Sequence, residues 1–479
     1  MKKLITMVLL IGLILGLVGC GQGGSASSQQ ASQLAVSKAT SEASGKSKLG
    51  DEKLTLKIVG CGPFNATGPD GTVNAVSGAE LPGYNMIVDA WKAEHPNVTL
   101  EIEDYPWDNW QASIQTAVLG GGVDVIMHGA TLTDLVVPLE DYIKADPEFD
   151  SKRLAYDGRR SESLGSLEKS HITGVPVTLA PMVVLLNKDI LAHYGVTLPD
   201  KDWDWNDLLE IAKTCTGKDP STGEQTYGIQ VYDCSSDNQL WKSFVSVGYG
   251  IGAQPTIQYG PTTKESKAVY NDDNAMKIWD FLGELSKYTS PADREGVDVS
   301  VPESDFNIAI YFTEGPSTSH DSLKAAGVLD KYAALNLPVV TSGELKGEVT
   351  PYCGDTNLAI CKTSEHKDWA WEFIKFSCTN EAALKYYIAA QGVANNSDSY
   401  SKLDELWPKD WVEAVRNDLK KIPDTYSAGS GMYSNNISFG NLNVSIGSAM
   451  RTLLMGTGTP KSAAASVQKV IDEYIASLP

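Results

Sequence analysis

The feature that most constrains the fold is a regular alternation of strand and helix patterns between residues 54 and 127. Two segments alternate apolar and polar residues, two others carry apolar residues at helical spacing, and a short apolar run closes the unit. The residues that carry these patterns are Leu54, Leu56 and Ile58; Tyr84, Ile87, Val88 and Trp91; Val98, Leu100 and Ile102; Trp110, Ile114, Ala117 and Val118; and Val125, Ile126 and Met127. Strands that alternate with helices indicate βαβ units, so the pattern predicts an α/β fold with a parallel sheet.

Three loops follow the strands of this unit and are the first candidates for a binding site. In open α/β sheets, ligands contact the loops beyond the carboxyl ends of the strands. The side chains placed there are Phe64 and Asn65 after the first strand, Tyr105 and Trp107 after the second, and His128 after the third. We predict that these five residues contact ligand; the alternative is that each packs its own loop at the rim of the site.

Charge and motif content exclude several function classes. The formal net charge of −21 argues against a nucleic-acid partner and against electrostatic adhesion to anionic lipid. The chain has no HExxH, P-loop or glycine-flanked nucleophile motif, and its six His lack metal-ligand spacing. Carboxylate pairs such as Glu101 with Glu103 suit glycoside hydrolysis in principle, but their strand positions favour a solvated role. We therefore expect no catalytic residues, no metal and no cofactor.

The amino terminus has the design of a secretory signal. Lys2 and Lys3 precede an apolar run at 4–17, and the run ends in Gly19 and Cys20. This ending resembles the lipobox of bacterial lipoproteins, which implies a signal peptide at 1–19, cleavage before Cys20 and a diacylglycerol on its sulfur. The alternative is an uncleaved transmembrane anchor, for which the run is somewhat short. Residues 20–50 are rich in Gly, Ser, Ala and Gln, so we expect a lipidated Cys20 followed by a flexible tether.

Six of the seven cysteines remain for the folded part of the chain. They are Cys61, Cys215, Cys234, Cys353, Cys361 and Cys378. Export permits disulfides, and none of the six has the CxxC spacing of a zinc or redox site. Partial pairing and burial as free thiols both stay open.

The chain resembles the extracellular solute-binding proteins of ABC importers, the large family that contains maltose-binding protein, with matches spread from about Leu54 onward and the first quoted motif at residue 174. A Pro-containing extended strand leads into an apolar run that ends in Asn187-Lys188-Asp189, followed by Gly195, Pro199 and a helix start at Asp204-Trp205. Asp204 stands where the family usually has an N-capping Thr, and its carboxylate can do the same. Further segments that resemble the family are 307–310 leading to 314–316, 351–355 with 358–360, 368–376 continuing to 389, and 456–477.

The resemblance implies a periplasmic-binding-protein type II-like α/β fold. It has two lobes, each with a central, mostly parallel sheet flanked by helices, joined by hinge crossings. We place the first lobe at 51–178 plus 357–398 and the second at 179–356 plus 399–479. The implied function is capture of an extracellular solute between the lobes, closure around it, and delivery to the membrane subunits of an ABC permease. We expect a monomer without enzymatic activity, held at the outer face of the cell membrane by its lipid alone.

Further candidate ligand contacts lie in and near the second lobe. They are Trp241, Tyr311, Glu314, Tyr352, Asp355 and Tyr433. We predict that Trp241 opens a helix of the second lobe. The chain departs from the family at Ser317, where the family's segment reads Gly-Pro-Trp, so an indole is missing there. Five Trp residues on amphipathic helices are instead predicted to be core residues: Trp91, Trp205, Trp279, Trp369 and Trp371.

Aromatic composition favours a carbohydrate ligand. Trp (11) and Tyr (20) far outnumber Phe (9), and their rings offer flat apolar faces with a hydrogen-bonding edge. The alternatives are a cationic or peptide-like solute, for which Glu314 and Asp355 would supply charge, an exported polysaccharide-active enzyme, and a surface adhesin. The identity of the ligand stays open.

Overall fold

The structure is a computed structural model that describes residues 49–73, 80–106, 110–129, 132–152, 159–161, 170–231, 237–258, 264–295, 307–314, 316–349, 353–419 and 442–478. The predicted signal peptide, Cys20, most of the tether, Trp107, Cys234, Tyr352 and Tyr433 lie outside these ranges. The side chains of Glu314, Cys353 and Asp355 also lie outside the description, although their backbone does not.

The described strands are, in chain order, β1 Leu54–Cys61, β2 Thr72–Val73, β3 Glu80–Leu81, β4 Val98–Tyr105, β5 Val125–Met127, β6 Arg159–Ser161, β7 Ser170–Ile172, β8 Val175–Asn187, β9 Gly217–Lys218, β10 Gln225–Gln230, β11 Thr256–Gln258, β12 Lys267–Val269, β13 Asn307–Glu314, β14 Tyr332–Leu335, β15 Cys353–Ile360 and β16 Val393–Ala394.

The described helices are α1 Pro63–Thr67, α2 Asn85–Glu94, α3 Trp110–Gly120, α4 Glu140–Ala145, α5 Pro147–Lys152, α6 Lys188–His193, α7 Trp205–Thr214, α8 Asp237–Gly250, α9 Asp273–Leu285, α10 Pro291–Glu295, α11 Pro316–Ala325, α12 Lys367–Thr379, α13 Glu381–Gln391, α14 Ser397–Ser401, α15 Leu403–Leu406, α16 Lys409–Leu419, α17 Leu442–Leu454 and α18 Pro460–Ser477. Within these described elements, no helix is both long and apolar enough to cross a bilayer.

The predicted βαβ unit is confirmed. β1 pairs in parallel with β4 on one side and with β5 on the other, and α2 and α3 are the helices between these strands. Each helix ends where the sequence predicts: α2 just before His95 and Pro96, and α3 at Gly120. The periodicity of the apolar residues was therefore sufficient to assign these elements.

A single long strand, β8, joins two halves of a ten-stranded sheet. The sheet has the order β4-β1-β5-β15-β8-β13-β10-β9, and β14 and β16 also pair with β8. The first part of β8, from Val175 to Pro181, pairs with β15, and the second part, from Met182 to Leu186, pairs with β13. Apart from Ala180 and Asn187, its residues are buried, which accounts for the near-continuous apolar run in the sequence.

Two large apolar clusters lie on the two halves of this sheet. One draws its residues from between Leu56 and Val177 and from between Leu358 and Tyr387. The other draws mainly on residues between Met182 and Phe312 and between Ile446 and Ile471. The five tryptophans predicted to be core residues are all buried within these clusters. The long strand thus runs from one core into the other.

The predicted cap of α7 is confirmed. The Asp204 carboxylate accepts hydrogen bonds from the backbone N–H groups of Asn206 (2.7 Å) and Asp207 (3.1 Å). The Asp207 carboxylate accepts in return from the Asp204 N–H at 2.9 Å, which completes a capping box. This local signal fixes the residue at which α7 begins.

Two local predictions were wrong. Phe64 and Asn65 lie in the five-residue helix α1, not in a loop, because Pro63 at its first position already has helical φ. Trp241 does not open its helix, since α8 begins at Asp237. Both differences are shifts at an element boundary, where sequence patterns are weakest.

Four of the six cysteines are buried free thiols: Cys61, Cys215, Cys361 and Cys378. Burial raises the pKa of Cys61 and of Cys215 to about 12, so neither is a thiolate at neutral pH. The alternative of free thiols therefore holds for these four.

Asp418 is an isolated acid near the carboxyl end of α16. Its exposed fraction is 0 %, and in the described part of the chain neither carboxyl oxygen has a side-chain partner. Burial raises its pKa well above the ordinary value, and the backbone of Leu337 offsets this only in part. The negative end of the helix dipole acts in the same direction as burial. The protonated acid is therefore favoured in the folded chain.

We expect Asp418→Asn to stabilise the protein at neutral pH. A raised folded-state pKa means that the unfolded chain loses this proton first, so the wild-type free energy of unfolding falls as pH rises above about 4. The neutral amide of the variant does not titrate, so the increase in the free energy of unfolding should be small near pH 4 and should grow toward pH 8. Urea unfolding across this range measures it, with the exposed Asp330→Asn as control. Equal pH dependence in the wild type and Asp418→Asn would contradict a buried protonated acid.

Candidate ligand site at the strand crossing

The carboxyl ends of the parallel strands in both halves of the sheet face each other along β8. In the first half, β5 ends at Met127, which is opposite Leu358, and Leu358 is opposite Val175 of β8. In the second half, β13 ends at Glu314, which is opposite Met182. About seven residues of β8, or roughly 20 Å, separate the two sets of strand ends. A site at this crossing is reached by loops from both halves, which is where open α/β sheets bind ligands.

His128 follows β5 in an unusual backbone conformation. Its φ is 58°, the one positive value among non-glycine residues of the described chain. Its N–H donates to the Asn357 carbonyl of β15 at 2.7 Å, and its ring meets Trp110 edge-on with centroids 6.0 Å apart. Burial lowers the pKa of His128 to about 4, although part of the residue is exposed. A strained, neutral imidazole therefore stands at this strand end, and such strain is common at binding sites.

Tyr105 is the last residue of β4 and is half-buried. Its hydroxyl donates to the Glu103 carboxylate, and Lys57 Nζ lies 2.7 Å from the same carboxylate. Burial, and then Glu103, raise the pKa of Tyr105 to about 12. The ring packs at the edge of a small cluster with Val59 and Ile114. Tyr105 is thus fixed by its own strand and stays neutral.

Two predicted contacts are core residues in this structure. Phe64 is 2 % exposed, with ring centroids 5.4 Å from Tyr84 and 5.8 Å from Tyr386. Tyr311 is also 2 % exposed and meets Tyr332 edge-on at 6.1 Å. Both rings pack against other aromatic rings, so ligand contact by either would need a conformation other than this one.

The remaining predicted residues within the described ranges lie on α1, α8, β13 and β15. Asn65 is exposed on α1, and Trp241 is partly buried on α8, where it packs against the core of the second half. The backbone of Glu314 is opposite Met182, and that of Asp355 is opposite Leu179. Both acids therefore belong to strand residues that flank the crossing.

Sequence reasoning missed Tyr84, Asp104 and Trp110 as neighbours of the site. Tyr84 is partly buried, and burial followed by Asp104 and Asp70 raises its pKa. Trp110 is predicted only as part of a helical stripe, yet α3 begins at Trp110, five residues after the end of β4 at Tyr105. Its place at a helix start after a strand was the signal that could have found it.

The position of the missing indole is occupied by a buried hydroxyl. Ser317 is 3 % exposed, and its Oγ donates to the Gly392 carbonyl at 3.2 Å. Gly392 directly precedes β16, which pairs with β8 at Leu179 and Thr178. Ser317 thus ties α11 to the crossing, and a ligand-stacking ring has to come from elsewhere.

In the described part of the chain, no group of His, Cys, Asp and Glu is arranged to hold a metal ion. The site as described offers aromatic rings, one neutral imidazole and carboxylates. Such a set can stack on an apolar face and accept hydrogen bonds from hydroxyls or ammonium groups.

Fold and site together define a two-lobed α/β receptor of the periplasmic-binding-protein type II class. The sequence profile of bacterial extracellular solute-binding proteins matches residues 75–384, and the chain belongs to this family. Its family and fold are those of solute receptors, not of enzymes.

Solved structures with the same fold include an ABC substrate-binding protein of Listeria monocytogenes in complex with cycloalternan. It is 16 % identical with a TM-score of 0.59, and the match covers 89 % of this chain and 100 % of that one. A solute-binding protein of Agrobacterium radiobacter K84 in complex with ribitol is 18 % identical with a TM-score of 0.62, covering 89 % and 99 %. A curated relative, an uncharacterised lipoprotein of Streptomyces antibioticus, is 26 % identical over 170 residues. That match covers 34 % of this chain and 38 % of the relative.

We expect the His128→Asn variant to lose less stability in acid than the wild type does. Because the folded pKa of His128 is near 4 and the usual value is about 6.5, the unfolded chain takes up this proton first as pH falls. Asn tolerates positive φ and does not titrate. The wild type should lose about 1–2 kcal/mol more than the variant between about pH 7 and pH 4, allowing for partial exposure. Chemical denaturation at both pH values measures this, and an equal loss in both proteins would contradict it.

Proposed function

We propose that this protein is the solute-binding component of an ABC importer and that its solute is a carbohydrate or polyol. The observation that carries the proposal is the convergence of strand ends from both halves at β8, with Tyr105 at the end of β4, Trp110 against His128 after β5, and Trp241 one turn into the helix that follows β10. Rings of this kind stack on the CH-rich faces of sugars, and the flanking acids can accept hydroxyl hydrogen bonds. The cycloalternan and ribitol bound by the two structural neighbours support this ligand class.

The mechanism that we propose is closure of two lobes around the solute. The proposed lobes are 51–178 plus 357–398 and 179–356 plus 399–479, and the boundary at 178/179 falls inside β8. The separation of the two large cores supports this division. A solute that touches both lobes binds the closed form more tightly and shifts the population toward it. The closed monomer then docks on the permease.

The charge of the site raises a second candidate, a cationic solute. Asp104 lies near Tyr84, and Glu314 and Asp355 are strand residues that flank the crossing. Carboxylates would pair with an ammonium group. The two candidates differ in salt dependence, because screening weakens the binding of a charged ligand and leaves that of a neutral sugar nearly unchanged.

We expect Trp241→Ala to weaken solute binding roughly 5- to 150-fold, which corresponds to about 1–3 kcal/mol for a lost stacking ring. Titration calorimetry with ribitol and maltotriose, after a thermal-shift screen of mono- and oligosaccharides, measures the change at low and high salt. Trp241→Phe keeps a ring and should retain most of the affinity, and circular dichroism checks the fold. A complete sugar screen without binding, or affinity that falls steeply with salt, would overturn the carbohydrate assignment.

We further propose that a diacylglycerol on Cys20 anchors the protein to the outer face of the cell membrane. Two acyl chains hold a protein far more firmly than one, and residues 20–50 would let the receptor reach the permease. The lipobox-like sequence that ends at Cys20 supports this anchor.

We expect Cys20→Ala to abolish membrane retention or to leave an unprocessed precursor. Fractionation of cells, with immunoblotting and metabolic labelling by a palmitate analogue, measures both outcomes. Cys61→Ala, which removes a buried thiol, is the matched control and should keep the label. Normal cleavage with unchanged membrane retention in Cys20→Ala would contradict lipidation.

A further inference from the structure

Three residues on one face of α17 hold the first residue of α8. Arg451 Nε donates to Asp237 Oδ1 at 3.0 Å, and Ser448 Oγ donates to Asp237 Oδ2 at 2.8 Å. A Cβ at Gly447 would lie 1.6 Å from the Asp237 carbonyl oxygen, so only glycine permits this approach of the two helices. Both carboxylate oxygens and the backbone of Asp237 are therefore in contact with α17.

The same guanidinium group reaches the end of β10 through Asp293. Arg451 Nη1 donates to the Asp293 carbonyl at 2.5 Å. The Asp293 carboxylate is fully buried and accepts from the N–H of Val231, next after β10, at 3.0 Å. Its second oxygen accepts from the N–H and the hydroxyl of Ser290 at 3.0 and 2.8 Å. A continuous chain of polar contacts thus joins the end of β10 to the start of α8.

This chain of contacts lies at the carboxyl end of β10, near the residues that the second half of the sheet contributes to the candidate site. β10 runs parallel to β13, so its carboxyl end lies on the same edge of the sheet as Glu314. Trp241 is four residues after Asp237, one helical turn into α8. The Arg451 side chain is only 14 % exposed, and a largely buried charge is costly unless its geometry is well satisfied. Such an arrangement makes the position of α8 relative to β10 specific.

We infer that Arg451 is a positioning residue for the solute site, acting through Asp237 and Asp293 to hold Trp241 at the carboxyl end of β10. The role rests on the proposed function of the site, but the geometry it predicts can be measured without any solute. Arg451 itself does not touch the solute in this proposal.

The first test observes Trp241 directly in the full-length chain labelled with 5-fluorotryptophan. In fluorine NMR, Trp241→Phe assigns the Trp241 resonance, and Trp91→Phe assigns that of Trp91 in the other core. Arg451→Met should shift or broaden the Trp241 resonance and leave that of Trp91 in place. Arg451→Lys should restore the Trp241 resonance in part, and Ser448→Ala should have a smaller effect. An unchanged Trp241 resonance in Arg451→Met, or equal changes at both tryptophans, would overturn the proposal.

The second test measures affinity, with ribitol and maltotriose as probes. Arg451→Met should weaken binding on the order of tenfold, with partial rescue by Arg451→Lys. Arg416→Met is the matched control, because Arg416 pairs with Asp404 at 2.8 Å on the surface of α16. A loss of affinity without a change at Trp241 would overturn the positioning role. If neither probe binds the unmodified chain, the proposed function fails for these solutes, and the fluorine experiment still decides the role of Arg451.

Discussion

The pairing of one strand, β8, with both halves of the sheet is the interaction on which the rest of the structure depends. Its first part pairs with β15 and β16, and its second part with β13 and β14. Because each half of the sheet pairs with its own part of β8, this continuity decides which strand ends face each other across the crossing. The candidate site exists because these ends point toward the same stretch of β8.

The surroundings of that stretch combine rigid support with a few costly polar groups. His128 adopts a positive φ and keeps a neutral ring. The Ser317 hydroxyl donates a hydrogen bond to the Gly392 carbonyl, and Arg451 links α8 to the end of β10 through hydrogen bonds. Each of these groups lies beside a strand end, not in the middle of an apolar core. Receptors need loops held in one geometry until a solute arrives, and buried polar contacts supply direction that apolar packing lacks.

Local sequence patterns accounted for several elements in both halves of the fold. The unit β1-α2-β4-α3-β5 and the burial of the five helical tryptophans follow from periodicity, and the cap at Asp204 follows from the family resemblance together with capping chemistry. The candidate site was less accessible to this reasoning. Phe64 and Tyr311 have the same residue types as ligand-stacking rings, but packing places both in cores. Trp110 was missed because its helical spacing, taken alone, looks like that of a core residue.

The sequence by itself determined the α/β class, the strands whose ends carry the candidate residues, and the signal-like amino terminus, since each depends on residues close together in the chain. Only the tertiary structure decided which strands are neighbours. The antiparallel insertion of β15 between β5 and β8 joins residues about 180 positions apart, and the contacts of Arg451 span more than 150. Burial was also a tertiary outcome: Asp418 carries the same side chain as the acids on the surface, and only burial around α16 raises its pKa well above the ordinary value.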